Sequence, residues 1–123
     1  MHAERTLALA KTLDDAMLRS ETVPQLTPTE PELDVVAAYR VQRAGVGLRA
    51  GRGEHLVGMK MGLTSHAKMA QVGVNEPIYA HLTSHMALSD GGALVRAEFG
   101  HPRAEPEVAF LLGSDLEGPT DAA

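Results

Sequence analysis

Pro24, Pro28 and Pro31 crowd the stretch between residues 21 and 33, and no other feature restricts the fold of this chain as firmly. A proline locks its own φ, lacks a backbone N–H and pushes the preceding residue out of the helical region. With Thr27 and Thr29 interspersed, these prolines interrupt any regular element, so 21–33 is a connector, though not of necessity a domain boundary. Before it, from Thr6 to Arg19, Leu9, Leu13, Ala16 and Met17 recur at helical spacing, with Lys11, Asp14 and Asp15 on other faces. After it, Asp34 is placed to cap a second helix carrying Val36, Tyr39 or Arg40, Ala44 and Leu48 at the same spacing. Gly45 and Gly47 weaken its second half, and Gly51 and Gly53 end it.

Beyond Gly53 the pattern changes. Leu56 to Gly62 reads as a short strand. Thr64 or Ser65 caps a brief helix through Gln71, with Gly73 just past its end. Ile78 to Leu82 and Leu94 to Phe99 are further strand candidates, separated by the turn signal Ser89-Asp90-Gly91-Gly92. The clearest alternation runs from Ala104 to Leu112. On a strand, Glu105, Glu107, Ala109 and Leu111 share one face, and Ala104, Pro106, Val108, Phe110 and Leu112 the other. Pro106 cannot donate to a ladder, so it fits only an edge strand or a hydrogen-bond-free position. Helices first and strands afterwards predict an α+β fold. The ending, Thr120-Asp121-Ala122-Ala123 after Gly118-Pro119, offers no closing element. The expectation is a fragment whose sheet continues elsewhere; the alternative is a small complete domain with a frayed tail.

Composition excludes several functions. The 123 residues include no cysteine, which removes zinc-thiolate sites, cysteine nucleophiles and disulfides. A net charge of −5 and 3% aromatic residues argue against nucleic acid as a partner. No apolar stretch resembles a signal peptide or approaches a membrane span, so the cytoplasm is the expected compartment and a membrane is not an expected partner.

Three residues stand out chemically. Glu105 and Glu107, two apart on a strand, would place two carboxylates side by side. A hard divalent cation relieves such repulsion, but an exposed acidic strand face has the same pattern. Lys60 is the one charge in Val57-Gly58-Met59-Lys60-Met61-Gly62-Leu63. Partial burial would lower its pKa toward catalytic use; a strand-edge lysine pointing into water is the alternative. Of the histidines, His81 and His85 would suit a metal pair only on a helix, and a strand-and-loop region makes them surface or supporting residues. Met59, Met61 and Met69 are expected to fill core. No phosphate-binding glycine loop is present.

The run Val57-Gly58-Met59-Lys60-Met61-Gly62-Leu63-Thr64-Ser65, followed by Glu76-Pro77-Ile78-Tyr79 and by Pro102-Arg103-Ala104-Glu105-Pro106-Glu107-Val108-Ala109-Phe110, resembles the signatures of the metal-dependent 2-keto-4-pentenoate hydratase / 4-oxalocrotonate decarboxylase family. Asp115-Leu116-Glu117-Gly118-Pro119 also fits, and the amino-terminal region matches more loosely. Over nearly its whole length the chain resembles the amino-terminal half of that family. The resemblance implies an amino-terminal helical region, 1–54, and the first part of a β-rich, fumarylacetoacetate-hydrolase-like catalytic domain, 55–123, with the fold incomplete.

It further implies Mg²⁺ or Mn²⁺ held by Glu105 and Glu107, with a third acidic ligand on a later segment, and Lys60 as the catalytic residue. Tyr79 is a candidate for substrate contact, with core packing as the alternative. The substrate implied is a small 2-oxo acid. In the decarboxylase, loss of CO₂ from 4-oxalocrotonate (2-oxo-3-hexenedioate) leaves a dienolate, stabilised by the metal as Lewis acid, on the way to 2-hydroxypenta-2,4-dienoate in aromatic catabolism. Related hydratases commonly carry an aspartate where this chain has Ile78, and an apolar residue cannot shuttle a proton to water. The expected activity is therefore decarboxylation. The alternatives are 2-keto-4-pentenoate hydratase activity, or a truncated inactive homologue acting as a partner subunit. A homo-oligomer, or association with a related hydratase or decarboxylase, is expected.

Overall fold

A computed structural model of the chain describes residues 1–118. Pro119 and the Thr120-Asp121-Ala122-Ala123 ending, the last part of the expected 55–123 region, lie outside the described residues. The element order is helix α1 (Ala3–Leu18), helix α2 (Val35–Gly51), strand β1 (Leu56–Gly62), helix α3 (His66–Val72) and strand β2 (Ile78–Thr83), with single 3₁₀ turns at Ser84–Met86 and Arg96–Glu98.

The helix pair forms the first layer. Asp34 caps α2, its side chain accepting the Ala37 N–H at 2.7 Å. Leu9 and Ala10 of α1 pack on Val41 of α2, with Met1, Leu26, Leu33, Ala44 and Leu48 around them. Burying Ala44 and Leu48 carries α2 through Gly45 and Gly47, which cost helix propensity but do not end it. The buried stripe of α1 differs from the expected one. Leu9 and Ala16 are buried, Leu13 and Met17 are largely exposed, and Thr6 and Asp14 are buried instead. Asp14 turns inward because Arg52, at the end of α2, meets its carboxylate through two hydrogen bonds of 2.5 and 2.9 Å. A buried carboxylate needs such a partner.

The second layer is a two-stranded antiparallel sheet, β1 against β2. Its register pairs Lys60 with Ala80, Met61 with Tyr79 and Met59 with His81, with an irregularity between Leu56 and Gly58 that inserts Val57 as an extra residue. The open end is closed by Thr83 donating to Glu54 at 2.5 Å and by the Ser84 N–H donating to the His55 carbonyl at 2.9 Å. Between the strands, Ser65 caps α3 by accepting the Lys68 N–H, and Gly73 ends it at φ 80°, a left-handed conformation that glycine adopts without strain. Leu63, with φ 55°, makes the turn out of β1 at the steric cost a side chain incurs there.

Two expected strands do not form. Leu94 to Phe99 contains the 3₁₀ turn instead. Ala104 to Leu112 has no regular hydrogen bonding, and Val108, Phe110 and Leu111 are 82–101% exposed. Alternation selects a face only where a neighbouring strand supplies the ladder. Among the described residues the sheet stops at two strands, and Pro106 removes one of the donors. For the same reason Met59 and Met61, expected in the core, are half exposed, whereas Met69 is buried. The chain thus has a partial α+β architecture.

Candidate functional site

Strand alternation sorts the side chains around Lys60 onto two faces. Ile78, Ala80 and Leu82 share the Lys60 face of the sheet; Met59, Met61, Tyr79 and His81 share the face toward α2. The nearest same-face neighbours of Lys60 on its own strand are Gly58 and Gly62, so no side chain of β1 flanks the lysine. A Cβ on Gly62 would lie 3.1 Å from Ile78 Cγ1, because the Ile78 side chain leans over the space the glycine leaves. On the Gly62 side that space is taken by Ile78, whereas the nearest atom to a Cβ on Gly58 would be Leu82 Cδ1 at 4.0 Å, so the room beside Lys60 lies on the Gly58 side.

Residues far apart in sequence meet at this face. Lys60 Nζ donates to Glu107 Oε1 at 3.0 Å and lies 3.9 Å from Glu105 Oε2. All three side chains are open to solvent, with exposures of 45% for Lys60, 65% for Glu105 and 58% for Glu107. The hydrogen bond from Lys60 to Glu107 is the main cause that raises the lysine pKa above its ordinary value, helped by the charges of Glu107 and Glu105 against a smaller opposing effect of burial. That is the reverse of the lowering expected from burial: the side chain is not enclosed, and two carboxylates favour its charged form.

The two carboxylates offer the hard oxygen donors that Mg²⁺, Mn²⁺ or Ca²⁺ prefer, and the structure already sets a cation, the Lys60 ammonium, against both. Glu105 and Glu107 therefore fit a divalent ion chemically as a two-residue donor set. Among the described residues no group of three or more potential metal-ligating side chains converges.

Tyr79 is not brought to Lys60. On the opposite face it stacks on Tyr39 of α2, with ring centroids 4.4 Å apart and planes 13° from parallel. Its N–H donates to the Tyr39 hydroxyl at 3.3 Å, and its carbonyl accepts from Gln42 Nε2 at 3.0 Å. Gln42 Oε1 lies 2.9 Å from His81 Nδ1, so His81 is a half-buried partner of α2, and His85 stands apart from it on the following 3₁₀ turn. This Tyr39–Gln42–Tyr79–His81 cluster docks the sheet on the helix pair. Sequence reasoning missed Gln42 and Asp14, since a polar residue on a helix signals neither what it meets nor that it is buried. Among the described residues, no helix is long and apolar enough to cross a membrane.

Comparison with known proteins places these features among named relatives. No family model matches the chain. A 4-oxalocrotonate decarboxylase from a Pseudomonas species is 44% identical over 110 residues, covering 89% of this chain and 43% of the relative. A 2-keto-4-pentenoate hydratase from Paraburkholderia phymatum is 38% identical over 112 residues, covering 91% of this chain and 43% of the relative. The chain thus spans less than half the length of either relative. Two solved structures of 4-oxalocrotonate decarboxylase from Pseudomonas putida G7, one complexed with calcium and acetate and one with magnesium and adipate, match with a TM-score of 0.69 and 40% identity over 72% of this chain and 34% of theirs.

Proposed function

We propose that this chain, a homologue of the 4-oxalocrotonate decarboxylases and 2-keto-4-pentenoate hydratases along nearly its whole length, supplies Lys60, Glu105 and Glu107 to the metal-dependent decarboxylation of 4-oxalocrotonate. The observation that carries the reading is the convergence of Lys60 with Glu107 at 3.0 Å and Glu105 at 3.9 Å. Nothing local in the sequence would bring a lysine on β1 to two glutamates more than forty residues later.

A hard divalent cation, Mg²⁺ or Mn²⁺, held by Glu105 and Glu107 would supply a Lewis acid to the 2-oxo carboxylate end of the substrate. The chain's own part falls to Lys60. Open to solvent, a lysine amine keeps its proton at neutral pH, which makes it a donor and a positive charge rather than a base. As the bond to the distal carboxylate breaks and CO₂ leaves, the electron pair runs along the conjugated chain to the 2-oxo oxygen. The Lys60 ammonium, brought near that oxygen, would stabilise the charge that develops there. Gly58 leaves one side of Lys60 without a neighbouring β1 side chain, and Ile78 covers the Gly62 side with hydrocarbon. Hydration needs an acid/base group to deliver water, which Ile78 cannot be; decarboxylation does not.

In this reading residues 55–123 form the first part of a β-rich, fumarylacetoacetate-hydrolase-like catalytic domain and residues 1–54 its helical support, acting in the cytoplasm on products of aromatic catabolism. The exposed apolar side chains of Leu56, Val57, Phe110 and Leu111 are consistent with burial against further polypeptide, in a homo-oligomer or with a related hydratase or decarboxylase. The hydratase activity is the second reading, favoured by the 37–38% identity to several hydratases.

The test is CO₂ release from 2-oxo-3-hexenedioate by the purified chain with Mg²⁺ and with EDTA. Release that EDTA abolishes is the expected result. Consumption of 2-hydroxypenta-2,4-dienoate without CO₂ release would select the hydratase. Neither reaction, from a chain with native circular dichroism, would overturn the assignment of autonomous activity.

A further inference from the structure

We infer that Lys60 is a resident competitor of the divalent cation: its ammonium takes the position against Glu105 and Glu107 while no cation is bound, and a bound cation displaces it. The inference rests on the ligand reading proposed above and concerns only what this chain's residues do toward that ion.

Three observations carry it. First, among the described residues Lys60 is the only cationic side chain within 4.0 Å of either carboxylate. The repulsion between the two glutamates is therefore relieved by one charge. Second, Glu105 and Glu107 lie on an irregular segment that no sheet ladder holds, and among the described residues the one hydrogen bond their side chains make is from Lys60 to Glu107, at 3.0 Å. The lysine thus holds Glu107 at 3.0 Å and Glu105 at 3.9 Å beside β1. Third, the Lys60 side chain is 45% exposed and has room beside Gly58, where the nearest atom to an added Cβ would be Leu82 Cδ1 at 4.0 Å, so it can withdraw. A lysine ammonium is a compact point charge on a flexible stem, suited to this place and easily moved from it. A dication seated on the same oxygens repels it, since like charges a few ångströms apart cost more than the exposed ion pair returns. Loading the site then frees the ammonium from the two carboxylates.

Mn²⁺ affinity measured by electron paramagnetic resonance tests this at low ionic strength and neutral pH, on the wild-type chain, Lys60→Met, Lys60→Arg and Glu107→Gln. Removing a unit positive charge about 5 Å from a dication in a water-exposed site predicts Mn²⁺ binding about tenfold tighter in Lys60→Met, and less in added salt. Lys60→Arg is expected to bind no tighter than wild type, because a guanidinium remains and grips a carboxylate through two donors. Equal or weaker binding by Lys60→Met, with wild type binding and Glu107→Gln losing affinity, would overturn the competition and leave the ligand reading standing. No binding by wild type or Lys60→Met beyond that of Glu107→Gln would overturn both.

A second readout needs no variant chain beyond an assignment control. With lysines labelled at 13Cε, the Lys60 signal, assigned by its loss in Lys60→Arg, should move on saturation with Mg²⁺ while those of Lys11 and Lys68 stay in place. An unmoved Lys60 signal at saturation would equally overturn the displacement.

Discussion

Replacing Asp14 with asparagine should destabilise the chain and, more tellingly, change how its stability depends on acid. Asp14 is 8% exposed and sits on α1, yet its partners come from the far end of α2. Arg52 makes two hydrogen bonds to it at 2.5 and 2.9 Å, and Arg49 lies 3.9 Å away. Arg52 also reaches Glu54 at 3.6 Å, and Glu54 accepts from Thr83 at the end of β2. The carboxylate is thus the first link in a chain of contacts from α1 to the sheet. Asparagine is nearly isosteric, so no cavity opens; the loss is that of a buried acceptor charge, about 1–3 kcal/mol for a hydrogen-bonded group of this kind. In a domain near this size that lowers Tm by roughly 3–15 °C.

The sign with pH follows from the Asp14 carboxyl, held below its ordinary value of 3.8 mainly by the hydrogen bonds from Arg52. A depressed folded-state pKa contributes stability that is fully present above the unfolded value and is lost as pH falls through the folded one. Urea titrations of wild type and Asp14→Asn at neutral pH and in steps below pH 4 therefore check the reasoning. The gap between the two curves should be full at neutral pH and shrink as pH drops below about 4. No gap at pH 7, or one that stays constant down to about pH 2, would refute it.

The candidate site yields three further expectations. Glu107→Gln removes one of the two proposed charged ligands and should weaken Mn²⁺ binding by roughly tenfold or more, as read by calorimetry; unchanged affinity would remove Glu107 from the proposed ligand set. Lys60→Ala should lower turnover while leaving the unfolding midpoint near that of wild type, since the side chain lies in solvent; full turnover would exclude Lys60 from the mechanism. Tyr79→Phe, which retains the stack on Tyr39, should leave both stability and KM unchanged. Tyr79→Leu should cost about 0.5–1.5 kcal/mol. A rise in KM for Tyr79→Phe without a change in stability would instead make the hydroxyl a substrate contact.

The local elements were largely written in the sequence. Helix signals such as Asp34 at a start and Gly73 past an end act through bonds to the nearest few residues, and all of that information lies within one turn. The prolines at 24, 28 and 31 do the same for the connector. Lys60, Glu105 and Glu107 were legible as chemistry because carboxylates two apart and a lysine between glycines are local patterns too, and the resemblance joined them. Strands are different: the alternation of residues 104–112 was real, but a strand exists only with a partner, and the described chain supplies none.

What the sequence determined alone, then, is whatever nearest neighbours decide: the two long helices, the connector, the start and end of α3, and which side chains carry charge at the site. Only tertiary structure decided that Asp14 points inward, that Tyr79 faces α2 rather than Lys60, and that the Lys60 pKa is raised rather than lowered. Each depends on a group remote in sequence, namely Arg52, Tyr39 with Gln42, and Glu107. Electrostatic and packing energies fall off with distance in space, and distance along the chain does not report it.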